Sequence, residues 1–181
     1  MSSPSADVSC RVAWADDAPA IARLQLATRR ADLADLLPPE ALDVEPEVAA
    51  GAWLETLTQP PDGRVRVLVA LERNRVTGFA ITSPALDPDC DPMADAELME
   101  LTVDPAERGR GHGSRLLQAT ADTMVADRFR RTVLWATATD DALRSFLESA
   151  GWAPDGAHRE LDLDGTGATT VRQVRLHTQL A

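Results

Sequence analysis

The stretch that most limits what this chain can fold into is Leu101–Leu117, LTVDPAERGRGHGSRLL. An apolar run, Leu98–Val103, stops at Asp104-Pro105, and a short charged linker follows. Gly109, Gly111 and Gly113 then alternate, and behind them Leu116, Leu117, Thr120, Ala121 and Met124 recur at helical spacing. A strand, a glycine loop and a helix start in succession form a cradle for anionic phosphate oxygens. Glycines let the backbone approach a ligand closely and adopt unusual φ. The unpaired N–H groups of the first helical turn, together with the helix dipole, bind the anion.

Two familiar phosphate loops are excluded by the residues themselves. The dinucleotide fingerprint GxGxxG needs glycine at 114, where this chain has Ser114, and it belongs after the first strand of a βαβ unit. The P-loop needs a lysine that this window lacks. The residues do spell Arg108-x-x-Gly111-x-Gly113, preceded by Val103-x-Pro105. That pattern resembles the pyrophosphate-binding motif [RQ]-x-x-G-x-[GA] of the GNAT superfamily of acyl-CoA-dependent N-acyltransferases.

The rest of the composition narrows the class. A length of 181 residues suits a single domain spanning 1–181. With 44% hydrophobic and 26% charged residues, wholesale disorder is disfavoured. No apolar run approaches the roughly 18–20 residues of a membrane helix, and the opening MSSPSADVS lacks the features of a signal peptide. Cys10 and Cys90 stand far apart, which argues against a disulfide framework or a metal site. A cytoplasmic protein is the expectation. The net charge of −11 sets nucleic-acid binding aside. An acidic surface suits an amine substrate, although solubility alone also accounts for it.

Taken in order, Val8, Cys10, Val12 and Trp14 alternate as a first strand. Asp16 or Asp17 caps a helix with Ile21, Leu24 and Ala27 on its core side. Arg29–Pro46 is acidic and broken by Pro38, Pro39 and Pro46; Val48–Leu57 is a second helix. Val65–Glu72 and Val76–Ser83 form a hairpin around Arg73-Asn74-Arg75, and Pro84–Asp95 is an irregular loop. The strand Ala96–Val103 leads into the glycine loop and a helix Gly113–Ala126, closed by Arg128, Arg130 and Arg131. Thr132–Thr137 is a buried strand, Asp141–Ala150 a helix ended by Gly151, and Trp152–Asp162 and Thr170–Thr178 are final strands.

The order β-α-α-β-β-β-α-β-α-β-β is similar to the GNAT fold from end to end. The resemblance implies an α/β (α+β) architecture: a mixed, largely antiparallel sheet of about seven strands, splayed in the middle, with helices on both faces. It places the acyl thioester where Ala96–Val103 and Thr132–Thr137 part, with the backbone of Leu101, Thr102 and Val103 along the pantetheine arm. The pyrophosphate falls to the amides of Arg108, Gly109, Arg110, Gly111, His112, Gly113 and Ser114. Arg108 or Arg110 adds charge. Asp140 and Ser145, on the helix after the second splayed strand, complete the expected cofactor contacts.

Direct acyl transfer needs a base for the amine, polarisation of the thioester carbonyl and departure of the thiolate. Glu97 and Glu100 are the candidate bases, one on each face if their strand is regular; a bulge changes which one meets the amine. Glu100 is preferred as the deeper of the two. A departure accompanies this. Family members often read N-x-x-A-x-x-[FL]-Y-x-x-x-G-[FW] over the later helix, whereas this chain has Asp140, Leu143, Phe146 and Leu147 before Gly151-Trp152, and no tyrosine anywhere. Leucine cannot protonate a thiolate, but a thiol of pKa near about 8.5 leaves unaided, at a cost in rate of ~100-fold or more.

His112 reads as a space-filler at the helix start, and His158 and His177 as surface residues of the last strands. Asp87, Asp89 and Asp91 mimic a calcium loop, but Pro92 and Leu98 stand where it needs glycine and glutamate, so no metal is expected. The expectation is an N-acetyltransferase using acetyl-CoA and an amine acceptor, with a homodimer left open. Its rival is a GNAT-like module that binds acyl-CoA as a sensor with little turnover.

Overall fold

The computed structural model describes residues 8–181; most of the polar opening stretch read above as lacking a leader lies outside them. Among the described residues seven strands form: β1 (Val8–Val12), β2 (Arg66–Glu72), β3 (Arg75–Pro84), β4 (Asp95–Val103), β5 (Arg131–Thr137), β6 (Ala153–Asp162) and β7 (Thr170–Gln179). They share one sheet in the order β1-β2-β3-β4-β5-β7-β6. Every neighbouring pair is antiparallel except β4 with β5. The mixed, mostly antiparallel sheet expected from the sequence is therefore present.

The helices divide between the two faces because each strand alternates its side chains. On one face α1 (Ala18–Leu33) and α3 (Pro46–Thr58) bring Ile21, Leu24 and Trp53 onto Val67, Val69, Leu71 and Phe79. On the other, α4 (His112–Ala126) and α5 (Asp141–Ser149) bring Leu116, Leu117 and Leu147 onto Leu68, Ala70, Ala80, Leu98 and Leu134. The β2–β3 connection is a tight turn at Arg73 and Asn74, whose φ values of 49° and 63° suit a right-twisted hairpin.

Two strands carry an extra residue. Ala70 faces Gly78 while Leu71 faces Val76, so Thr77 is bulged out of β3. Ile81 faces Glu100 while Thr82 faces Leu98, so Met99 is bulged out of β4. Both bulges border the site described below.

Several expectations need correction. The first helix runs on through Arg29 to Leu33, into the proline-broken segment Arg29–Pro46, and a short α2 (Pro39–Leu42) lies within that segment. Ala27 is exposed, and Thr28 holds the buried position instead. Asp17 stands just before α1, but its carboxylate reaches back to the Trp14 amide at 2.7 Å and to Arg11 rather than capping forward. Arg128 lies past the end of α4 with a φ of 69°, and Arg131 already belongs to β5.

Candidate active site

The parallel partners β4 and β5 stay together for three residue pairs, Asp95 with Arg131, Ala96 with Thr132 and Glu97 with Val133. Beyond them the strands part. β4 continues to Val103 against β3, and β5 continues to Thr137 against β7. The backbone edge of Leu98–Val103 that faces the gap thus has no strand beside it, the arrangement that accepts an extended guest chain.

The glycine loop sits at the open end of this fork. The Asp104 carboxylate caps the turn Pro105–Glu107 by accepting from the Ala106 amide at 2.9 Å. The Asp104 amide donates to the Thr77 carbonyl at 2.8 Å, so the β3 bulge fixes where the loop begins. Gly109 and Gly111 have φ of 75° and 84°, a region hostile to side chains. Gly111 is the residue before α4, and no side chain caps that helix start. The amides of its first turn therefore keep their hydrogen-bonding capacity for an anion. Gly113 is helical, and a Cβ there would touch Phe146 and Val103 at 3.6 and 3.7 Å. Ser114 is exposed beside it.

The two loop arginines, alike in the sequence, are placed differently. Arg110 bridges Glu72, at 2.9 Å, and Glu107, which Arg75 also holds. Arg108 is exposed and makes no ion pair among the described residues; its charge acts on Asp32 of α1. His112 is buried at 1% exposure, with Thr77 Oγ1 3.3 Å from Nδ1 and Glu72 Oε2 3.5 Å from Nε2. It packs under the loop, against Thr77 and Glu72.

The Met99 bulge decides the placement of the carboxylates. Glu97 lies opposite Ser83 and Glu100 opposite Ile81, two positions on the same side of β3. Both acids therefore face the α1 side, not one on each side as a regular strand gives. Glu100 is half-buried and doubly held. Gln25 Nε2 donates to its Oε2 at 2.8 Å, and Thr102 Oγ1 donates to its Oε1 at 3.0 Å. Burial pushes its pKa above the ordinary glutamate value, against these two hydrogen bonds and the Arg29 charge. Glu97 is also raised, by burial and then by the nearby Asp87 carboxylate, with Arg159 and Arg175 opposing.

Thr102 was expected along the cofactor arm; its side chain is turned to Glu100, so only its backbone borders the gap. Leu101 packs into the core on the α4 side, and Val103 lies next to Gly113.

A fastening at Arg175 escaped the sequence reading. This β7 residue is 3% exposed and binds Asp87 at 3.0 Å, Asp155 at 2.7 Å and Asp89. Trp135 Nε1 donates to Asp87 at 2.9 Å, and the Arg159 guanidinium stacks 4.3 Å over the Trp135 ring. The acidic loop is thereby strapped across β5 and β7 beside Glu97. Arg175 holds Asp89 down to about pKa 2. Alternation along a strand marks Arg175 as one more polar position, and no local pattern marks its burial.

On α5, Asp140 caps the helix through the Leu143 amide at 3.0 Å, and Ser145 is exposed. Leu147, at the tyrosine position, is 0% exposed within the core. His158 is exposed on β6 and His177 is half-buried on β7.

The sequence matches the Acetyltransferase (GNAT) family over residues 30–152. The fold is similar to that of an N-acetyltransferase from Staphylococcus aureus Mu50, with a TM-score of 0.73 and 19% identity over 97% of this chain and 99% of that one. A ribosomal-protein-alanine N-acetyltransferase from Brucella melitensis gives 0.73 and 22%, over 95% and 99%. The yncA protein of Salmonella typhimurium, solved with its cofactor acetyl-CoA, gives 0.70 and 20%, over 97% and 95%. No curated protein matches the chain.

Proposed function

This chain belongs to the acetyltransferase (GNAT) family, and from that premise we propose that it is a single-domain N-acetyltransferase moving acetyl from acetyl-CoA to a primary amine by direct attack. The observation that carries the reading is the fork: β4 and β5 part after three pairs, with an uncapped helix start at its open end and two carboxylates on one face.

When bound, acetyl-CoA supplies an acyl thioester. In this reading the free edge of Leu98–Val103 holds the arm by backbone hydrogen bonds, and the amides from Gly109 to Ser114 hold the pyrophosphate. Arg108 adds charge, since Arg110 is engaged by Glu72 and Glu107. The acceptor attacks as its neutral amine, whose lone pair forms the C–N bond, and Glu100 takes a proton from that nitrogen as the C–S bond breaks. Its raised pKa brings it nearer to neutrality, where a base both is ionised and binds a proton well. Leu147 has no proton to give, so the leaving thiolate takes one from water. The acceptor is a small molecule or a peptide, and the acidic loop beside Glu97 favours a cationic one. A cytoplasmic location belongs to the same proposal; the free thiols of Cys10 and Cys90 suit a reducing compartment.

The test is calorimetry with acetyl-CoA, followed by thiol release against a panel of amines. All 18 basic residues of the chain are arginine, so any acetyl-lysine formed comes from the acceptor. Micromolar binding with amine-dependent release supports the enzyme. Binding without release from any amine supports the acyl-CoA sensor, the reading that Leu147 favours. No binding removes the cofactor assignment.

A further inference from the structure

Glu100 is the end of a hydrogen-bonded chain that begins on a different helix. Trp53 of α3 is 8% exposed, with its ring edge-on to Phe79 at 5.2 Å and 75°. Its indole Nε1 donates to Gln25 Oε1 at 2.9 Å, and Gln25 Nε2 donates to Glu100 Oε2 at 2.8 Å. An indole N–H is a donor and nothing else. The Gln25 amide therefore has no choice of orientation: its oxygen faces Trp53 and its NH2 faces Glu100. From the other side the Thr102 hydroxyl supplies Oε1. Each oxygen of Glu100 thus meets a donor, and the Gln25 NH2 on Oε2 cannot accept a carboxyl proton.

We infer that Gln25 and Trp53 are positioning residues for Glu100, a one-directional relay that fixes the plane of its carboxyl group and favours its ionised form inside the sheet face. This rests on the reading of Glu100 as the base. Among the charged groups of the described residues, Arg29 of α1 acts on Glu100; its partner across β3 is the apolar Ile81, and the hydrogen-bonded link to α3 runs through Gln25 to Trp53. The relay matters because burial acts in the opposite direction on the same carboxyl. Without donors, burial holds the proton more tightly on this carboxyl. Gln25 and Trp53 also tie the base to α1 and α3, so a shift of either helix is felt at Glu100.

The experiment is a carbon-13 NMR titration of the glutamate side-chain carboxyls in the full chain without ligand, the Glu100 signal being the one lost in Glu100→Gln. In Gln25→Met, which keeps the bulk and removes the donor, the Glu100 midpoint is expected to rise by roughly one pH unit, tenfold in proton affinity. Trp53→Phe keeps a ring against Phe79 and frees the amide to turn; the midpoint is expected to rise by less. The double variant should match Gln25→Met, because Trp53 acts through Gln25. An unmoved midpoint in folded Gln25→Met, or additive shifts in the double variant, overturns the relay. Should Gln25→Met not fold, an unmoved midpoint in Trp53→Phe overturns it equally. Failure of the base reading shows separately, as full amine-dependent thiol release by Glu100→Gln while the midpoints still move.

Discussion

Two glycines of one motif should respond in opposite ways to the same added methyl group. Gly111 sits at a φ of 84°, with Arg115 Nη1 2.9 Å from where a Cβ would stand. The arginine is a flexible neighbour and can withdraw, so the cost lies in the backbone, about 1–2 kcal/mol for an L-residue in the left-handed region. Gly113 has helical φ, and its Cβ would meet Phe146 and Val103 at ordinary contact distances of 3.6 and 3.7 Å. Alanine there gains up to about 1 kcal/mol of helix propensity. For a chain of this size each kcal/mol moves the melting temperature by roughly 2–4 °C. Gly111→Ala is therefore expected to melt about 2–8 °C lower, and Gly113→Ala at the wild-type temperature or up to about 4 °C higher. Thermal denaturation followed by circular dichroism reads both. Because the Gly113 methyl points at Phe146 and away from the loop amides, Gly113→Ala should also keep acetyl-CoA affinity in calorimetry. A Gly111→Ala protein as stable as wild type, or equal losses at the two sites, would refute the reasoning.

Other outcomes follow from charges already placed. Arg175→Met leaves Asp87 without its cation and Asp155 with Arg131 alone at 3.5 Å, and should cost about 3–5 kcal/mol, read as a lower denaturant midpoint. Arg108→Ala should weaken acetyl-CoA binding about fivefold, less so in high salt, with the melting temperature unchanged. Arg110→Ala should instead lower the melting temperature, because Glu72 and Glu107 lose their bridge. The raised Glu100 pKa sets the acid side of the pH–rate profile: turnover should climb with pH through a midpoint above the ordinary glutamate value, and Glu100→Gln should abolish that limb. The same shift makes protonated Glu100 the form the fold prefers. Its contribution to stability is therefore complete below the unfolded pKa and is lost as pH rises through the folded one.

The elements were legible where periodicity is strong. The alternation of β2 and β3, the run ending at Val103 and the spacing of Leu116, Leu117 and Met124 each describe one buried face, and the loop between them is marked by its glycines. Helix ends were less legible: α1 carries Arg29 and Arg30 past the point where composition turns polar, because Ile21, Leu24 and Thr28 keep one side of it buried. The site was legible as chemistry and not as geometry. Arg108 and Arg110 could not be told apart, since the Glu72 that claims Arg110 lies 38 residues away. Gln25 and Trp53 carry no local signature, and only the packing of α1 on α3 brings them together.

Met99 gives the fold a parity. One supernumerary residue between Glu97 and Glu100 changes their separation from odd to even in the counting of faces, and so turns two acids that would look away from each other onto a common side. Its own side chain is 53% exposed, which frees its identity while its presence is fixed. A substitution at this position is a change of decoration, whereas a deletion is a change of sign for one whole end of β4. Either Ala96 and Leu98 turn from the α4 face to the α1 face or Glu100 and Thr102 turn the other way.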